Sequence, residues 1–158
     1  MGEAYTQDIN HENGSSSVTR LLLPYTFAAW LGFLAIGIPL PALSLFAHDR
    51  LGYGPLVVGI VVGSQSLATL VSRQFAGRMC DTRGPKPTTL VGLAISSLSG
   101  LCYLLANGLA ATPQSALGVL LAGRLLLGIG ESMFITALAA WSLARVGAAH
   151  AGRAMAWS

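Results

Sequence analysis

Charged side chains along this chain fall in clusters, and long apolar runs lie between them. Leu21–Ala47 runs for 27 residues without an Asp, Glu, Lys or Arg, Leu51–Ser72 for 22, and Pro87–Gly123 for 37. A helix needs about 20 mostly apolar residues to cross roughly 30 Å of hydrocarbon. The first two runs fit one span each. The third is too long for one and is broken by the turn residues Asn107-Gly108 and Thr112-Pro113-Gln114-Ser115. The pattern therefore predicts spans at about 22–46, 55–75, 88–106 and 116–140, with the start of a fifth at Ala154. Helices are the expected element, because open sheet edges cannot face lipid.

Composition agrees with that pattern. Hydrophobic residues make up 53% of the chain and charged residues 9%, against about 25% charged in soluble domains. Too few polar side chains are present to coat a soluble surface. The fold class expected is an all-α membrane protein.

The net charge of +3 raises the question of nucleic acid, and its distribution answers it. The basic cluster Arg73, Arg78, Arg83 and Lys86 lies between two spans and has no aromatic stacking platforms interleaved with it. A cytoplasmic N-terminus would place Arg20, Arg73, Arg78, Arg83, Lys86, Arg145 and Arg153 on the cytoplasmic side and only Arg50 outside, which is the usual bias of short loops. Residues 1–20 are polar, lack the basic start of a cleavable signal, and read as a cytoplasmic tail. Cys80 is expected in a loop and Cys102 inside a span, so a disulfide between them is not expected. Neither these cysteines nor His11, His48 and His150 have metal-ligand spacing, and no cofactor is expected.

Small residues recur at helical spacing. Gly59 with Gly63, and Ser96 with Gly100, are small-x-x-x-small pairs that allow close helix approach. Pro39 and Pro41 each remove a helix donor, so the first span is expected to bend or end near its outer face.

The most specific segment is Gly77-Arg78-Met79-Cys80-Asp81-Thr82-Arg83-Gly84-Pro85-Lys86, between the second and third spans. It reads as a tight loop in which Gly77 permits helix contact, Gly84 and Pro85 make the turn, and Asp81 is the only acid among the four bases Arg73, Arg78, Arg83 and Lys86. It resembles the signature G-x-x-x-D-[RK]-x-G-[RK]-[RK] of the major facilitator superfamily at Gly77, Asp81, Gly84 and Lys86. Thr82 and Pro85 depart from that signature, with Arg83 one place late. In the fourth span, Arg124 followed by Gly128 and Gly130 resembles a second motif of the same family. Ile38-Pro39-Leu40-Pro41, His48-Asp49-Arg50-Leu51-Gly52 and Asp81–Lys86 look closest to an uncharacterised bacterial branch of arabinose-efflux-like permeases.

The resemblance implies a twelve-helix bundle in two halves, of which this chain is an N-terminal fragment holding four transmembrane helices and the start of a fifth. It implies a gating role for the loop Gly77, Asp81, Arg83, Gly84 and Lys86. The other reading of that loop is that the glycines shape a turn and the bases set topology. It also implies coupling at Arg124.

Arg124 and Glu131 are the ionisable residues within a span, and each costs about 2.5–3.5 kcal/mol at the helix centre on insertion scales. Seven residues place them on one face, about 10 Å apart along the axis. That is too far for a reliable ion pair, and a bridging water or solute would suit the gap. Glu131 is the candidate protonatable group. Gln65, Thr69 and Ser72 form a polar stripe that could line a cavity or bond neighbouring helices. Tyr25 and Trp30 are candidate cavity or interface aromatics.

No nucleophile or metal constellation points to an enzyme. The function expected is secondary transport of a small sugar or drug-like solute, proton-coupled and outward, in a bacterial inner membrane. Transport would require the missing C-terminal half. The competing reading is a small non-transporting membrane protein that acts by helix association.

Overall fold

The computed structural model describes residues 23–146. The expected polar tail, the start of a fifth span, and Arg20 and Arg153 lie outside the described residues. Four long helices follow one another: α1 (Leu23–Arg50), α2 (Pro55–Arg83), α3 (Pro85–Gly108) and α4 (Pro113–Val146). Each is long and apolar enough to cross a membrane, and no strand occurs among the described residues.

The helices extend past the apolar runs that predicted them. At 1.5 Å per residue, the 29 residues of α2 reach about 43 Å and the 34 residues of α4 about 51 Å, well beyond the hydrocarbon thickness. Loss of hydrophobicity does not end a helix; a breaker does. α2 therefore continues through Arg73, Arg78 and Asp81 and stops at Gly84, whose φ of 90° and ψ of 165° suit only glycine. Pro85 then opens α3, where a missing N–H costs nothing. The corner is one residue rather than the tight loop expected from Gly77 to Lys86, and Cys80 is buried in a helix rather than placed in a loop. Thr88 and Thr89 brace it, donating to the Gly84 and Pro85 carbonyls at 2.8 and 2.9 Å.

Pro39 and Pro41 do not end α1. The helix is interrupted at Ile38, resumes over Pro39–Leu45, and finishes in a π turn over Phe46–Arg50. Gly52, at φ 72°, then reverses the chain. His48 Nδ1 lies 3.0 Å from the Tyr53 carbonyl across that reversal.

α4 is the central helix. It packs along both α2 and α3, which touch each other little. Half of its most apolar stretch is buried, against 6% for α1. Glycines set both seams. A Cβ at Gly128 would fall on the Gln65 carbonyl oxygen and lie 2.9 Å from Ala68 Cβ. A Cβ at Gly130, on the opposite side, would fall on Ser96 Oγ and lie 2.7 Å from the Gly92 carbonyl. Gly92 is equally tight against Gly130 and Phe134. By contrast Gly59, Gly63, Gly77 and Gly100 face open space, so neither the Gly59–Gly63 pair nor Gly77 makes the close approach expected of it.

The exterior is apolar. Leu56, Leu70, Val71, Phe75 and Leu104 point outward and are each more than 60% exposed. A surface of this kind faces lipid. Inside, two apolar clusters form, one of Leu43, Ala47, Val61, Ala106 and Leu120, the other of Ala76, Met79 and Met133. The ionisable pair of α4 lies between them along the helix.

Candidate functional site

The seam between α2 and α4 carries the polar chemistry of the bundle. Positions 62, 65 and 69 share one face of α2, and positions 124, 128 and 131 share one face of α4. The two faces meet in three rungs. Arg124 Nη2 donates to the Val62 carbonyl at 3.3 Å. Gly128 presses on the Gln65 backbone, and Thr69 Oγ1 donates to the Gly128 carbonyl at 3.1 Å. Gln65 Nε2 donates to Glu131 Oε2 at 2.7 Å, with Thr69 Oγ1 at 3.4 Å from the same oxygen.

Each rung depends on the next. The absent side chain at Gly128 lets the backbones close, and that closure brings the buried Gln65 amide within reach of Glu131. An amide donor to a carboxylate is a charge-assisted bond. Of the polar stripe on α2, Gln65 and Thr69 therefore bond α4, while Ser72 bonds its own helix through the Thr69 carbonyl at 3.4 Å.

Arg124 differs from Glu131 in being under-satisfied. It is 1% exposed, and its Nε and Nη1 have no hydrogen-bond partner among the described residues. The Tyr103 hydroxyl of α3 lies beside it and beside Ser99 without meeting hydrogen-bond geometry with either, and it too is buried and unpartnered. Glu131 is occupied by α2, so the two charges of α4 do not share a bond.

Sequence reasoning did not single out Tyr103. It lies near the C-terminal end of α3, where an aromatic is ordinarily an interface residue. Its inward direction follows from Gly123, whose missing side chain leaves room for the Tyr103 ring.

The remaining candidates lie elsewhere. Trp30 is 57% exposed on the outer face of α1 and stacks on Phe27 at 6.0 Å. Tyr25 meets Trp141 edge-on at 5.7 Å, joining α1 to α4. Asp81, Arg83 and Lys86 are exposed at the α2–α3 corner together with Arg73 and Arg78. Asp81 occupies the last turn of a helix, where a negative charge opposes the helix dipole, and it makes no hydrogen bond among the described residues. No cluster of His, Cys, Asp and Glu suited to a metal occurs among the described residues.

Four membrane-length helices with an apolar exterior and a charged interior seam define a multi-pass α-helical membrane protein. Residues 25–158 match the family model described as Major Facilitator Superfamily, so the chain belongs to that superfamily. It is 40% identical over 147 residues to an uncharacterized MFS-type transporter of Pseudomonas aeruginosa, covering 93% of this chain and 37% of that protein. It is 46% identical over 126 residues to an uncharacterized MFS-type transporter of Burkholderia mallei, covering 80% and 31%. A Burkholderia pseudomallei protein of the same description matches equally well. The chain thus spans about a third of the length of these relatives. No solved structure matches it.

Proposed function

We propose that the full-length protein moves a small solute across the bacterial inner membrane by secondary active transport, coupled to protons and directed outward. This chain supplies its first four helices. The observation that carries this reading is the α2–α4 seam. A buried arginine and a glutamate stand on the most buried helix of a family whose named relatives are transporters. Mid-membrane charge is expensive and has a use where it persists.

In this reading Glu131 carries the proton and Arg124 answers to its charge or to the solute. Gln65 and Thr69 steady Glu131 rather than line a cavity. The exposed bases at the α2–α3 corner favour a cytoplasmic N-terminus. Asp81, unpaired on the last turn of α2, is available to a partner helix from elsewhere in the protein, which suits a gate closed by contact between two halves. The coverage of the relatives supports the view that transport requires more chain than these 158 residues.

The test is flux in proteoliposomes holding the full-length protein, with a pH-sensitive dye in the lumen. Solute addition should move protons in the wild type. The Glu131→Gln protein should show no solute-driven proton movement. Intact proton-coupled transport in that variant would remove Glu131 from the mechanism. Robust transport by the 158-residue chain alone would overturn the view that it is incomplete.

A further inference from the structure

We infer that Gln65 is the positioning residue of the proton site: its amide fixes which oxygen of Glu131 takes the proton, and the oxygen it leaves open is Oε1. The inference rests on the reading that Glu131 carries the proton. It starts from an asymmetry. Gln65 Nε2 donates to Oε2 at 2.7 Å, and Thr69 Oγ1 stands 3.4 Å from the same oxygen. Oε1 receives no hydrogen bond among the described residues. Glu131 is only partly buried, whereas Gln65 is 6% exposed. One carboxyl oxygen is held against α2 and the other is open.

The two donors are unequal. Thr69 has one hydroxyl hydrogen and two nearer acceptors, the Gln65 carbonyl at 3.0 Å and the Gly128 carbonyl at 3.1 Å. The Gln65 amide therefore makes the hold. An amide does not titrate, so it donates to the charged and the neutral carboxyl alike. An arginine or lysine in its place would favour the charged form, and a second carboxyl would compete for the proton. Proton uptake from water forms an O–H bond at Oε1 and removes the negative charge. Oε2 then becomes the carbonyl oxygen and keeps its bond from Gln65. A proton on Oε2 would instead turn a hydroxyl, the poorer acceptor, toward the amide. Neighbouring charge does not make this choice. Arg124 lies about 10 Å away along α4, α2 carries no charge before the exposed Arg73, and the apolar runs of α1 and α3 carry none.

The test is infrared pH-difference spectroscopy of the full-length protein in nanodiscs. The carbonyl stretch of protonated Glu131 is assigned by its loss in Glu131→Gln. A hydrogen bond to the carbonyl oxygen weakens the C=O bond and lowers that stretch. Gln65→Met, of similar length but with no donor, should move the band to higher wavenumber. Gln65→Asn, which draws the amide back by one methylene, should do the same and carries the test if the amide bands show that Gln65→Met has lost helix. Thr69→Val should leave the band in place, although it also removes a bond between α2 and α4. An unmoved band in the Gln65 variants overturns the positioning role, as does an equal shift in Thr69→Val. Absence of a Glu131 band across the titration overturns the proton at Oε1. None of these outcomes depends on flux. The predicted shifts together with intact proton coupling in Glu131→Gln would keep Gln65 in its role and reject the transport reading; unmoved bands together with lost coupling would do the reverse.

Discussion

Gly128→Ala gives the sharpest test of the packing that positions Glu131. The new Cβ would fall on the Gln65 carbonyl oxygen, with Ala68 Cβ at 2.9 Å and Thr69 N at 3.1 Å. A backbone oxygen cannot rotate away as a side chain can. Relief needs α2 and α4 to part by on the order of 1 Å to restore an ordinary contact of about 3.5 Å. Overpacking of this sort costs about 1–3 kcal/mol. The separation also stretches the 2.7 Å bond from Gln65 to Glu131, and interhelical hydrogen bonds in membranes contribute about 0.6–1.7 kcal/mol.

Gly63→Ala is the matched control, since a Cβ there meets nothing within 4 Å. Both changes gain about 1 kcal/mol of helix propensity, so their difference isolates the clash. The expected difference is about 2–4 kcal/mol, with Gly128→Ala the less stable. The assay is SDS-induced unfolding of the chain in bicelles, followed by tryptophan fluorescence. A Gly128→Ala protein as stable as Gly63→Ala would refute the claimed closeness of α2 and α4.

Further outcomes follow from other features. Gly84→Ala, at φ 90° and ψ 165° with open space around it, should destabilise by about 1–3 kcal/mol through backbone strain alone in the same unfolding assay. Arg124→Met replaces an under-satisfied buried cation with an apolar side chain of similar length, and should raise stability by about 1–4 kcal/mol while abolishing transport by the full-length protein. In a cysteine-free background, Lys86→Cys should react with a membrane-impermeant maleimide only from the cytoplasmic side and Thr112→Cys only from the outside; the reverse pattern would invert the proposed orientation.

Much of the fold is visible in the amino-acid pattern because the membrane enforces it. Uncharged runs separated by the basic cluster around Gly84-Pro85, the last of them broken at Asn107-Gly108, leave few ways to draw four helices. Helix ends were less legible, since Arg73 to Arg83 lose hydrophobicity while keeping helical geometry, and the true stop is a backbone conformation at Gly84. Glycine roles were least legible. Gly59 and Gly63 carry the expected spacing yet face outward, whereas Gly128 and Gly130, two residues apart, serve opposite seams because α4 lies between two partners. That arrangement is a property of tertiary order, which local spacing does not encode. The separation of Arg124 from Glu131 was readable from helical periodicity. Their different hydrogen-bond partners, the Val62 carbonyl on one side and Gln65 and Thr69 on the other, required the packed helices.

The account's central claim is that the charges on α4 serve transport rather than the fold. Flux and unfolding measured side by side on full-length Arg124→Met and Glu131→Gln proteins test it most directly. The account predicts that both variants stay folded, Arg124→Met with a gain in stability, and that both lose solute-driven proton flux. Wild-type flux in both, or a collapse of stability that accounts for lost flux, would contradict it.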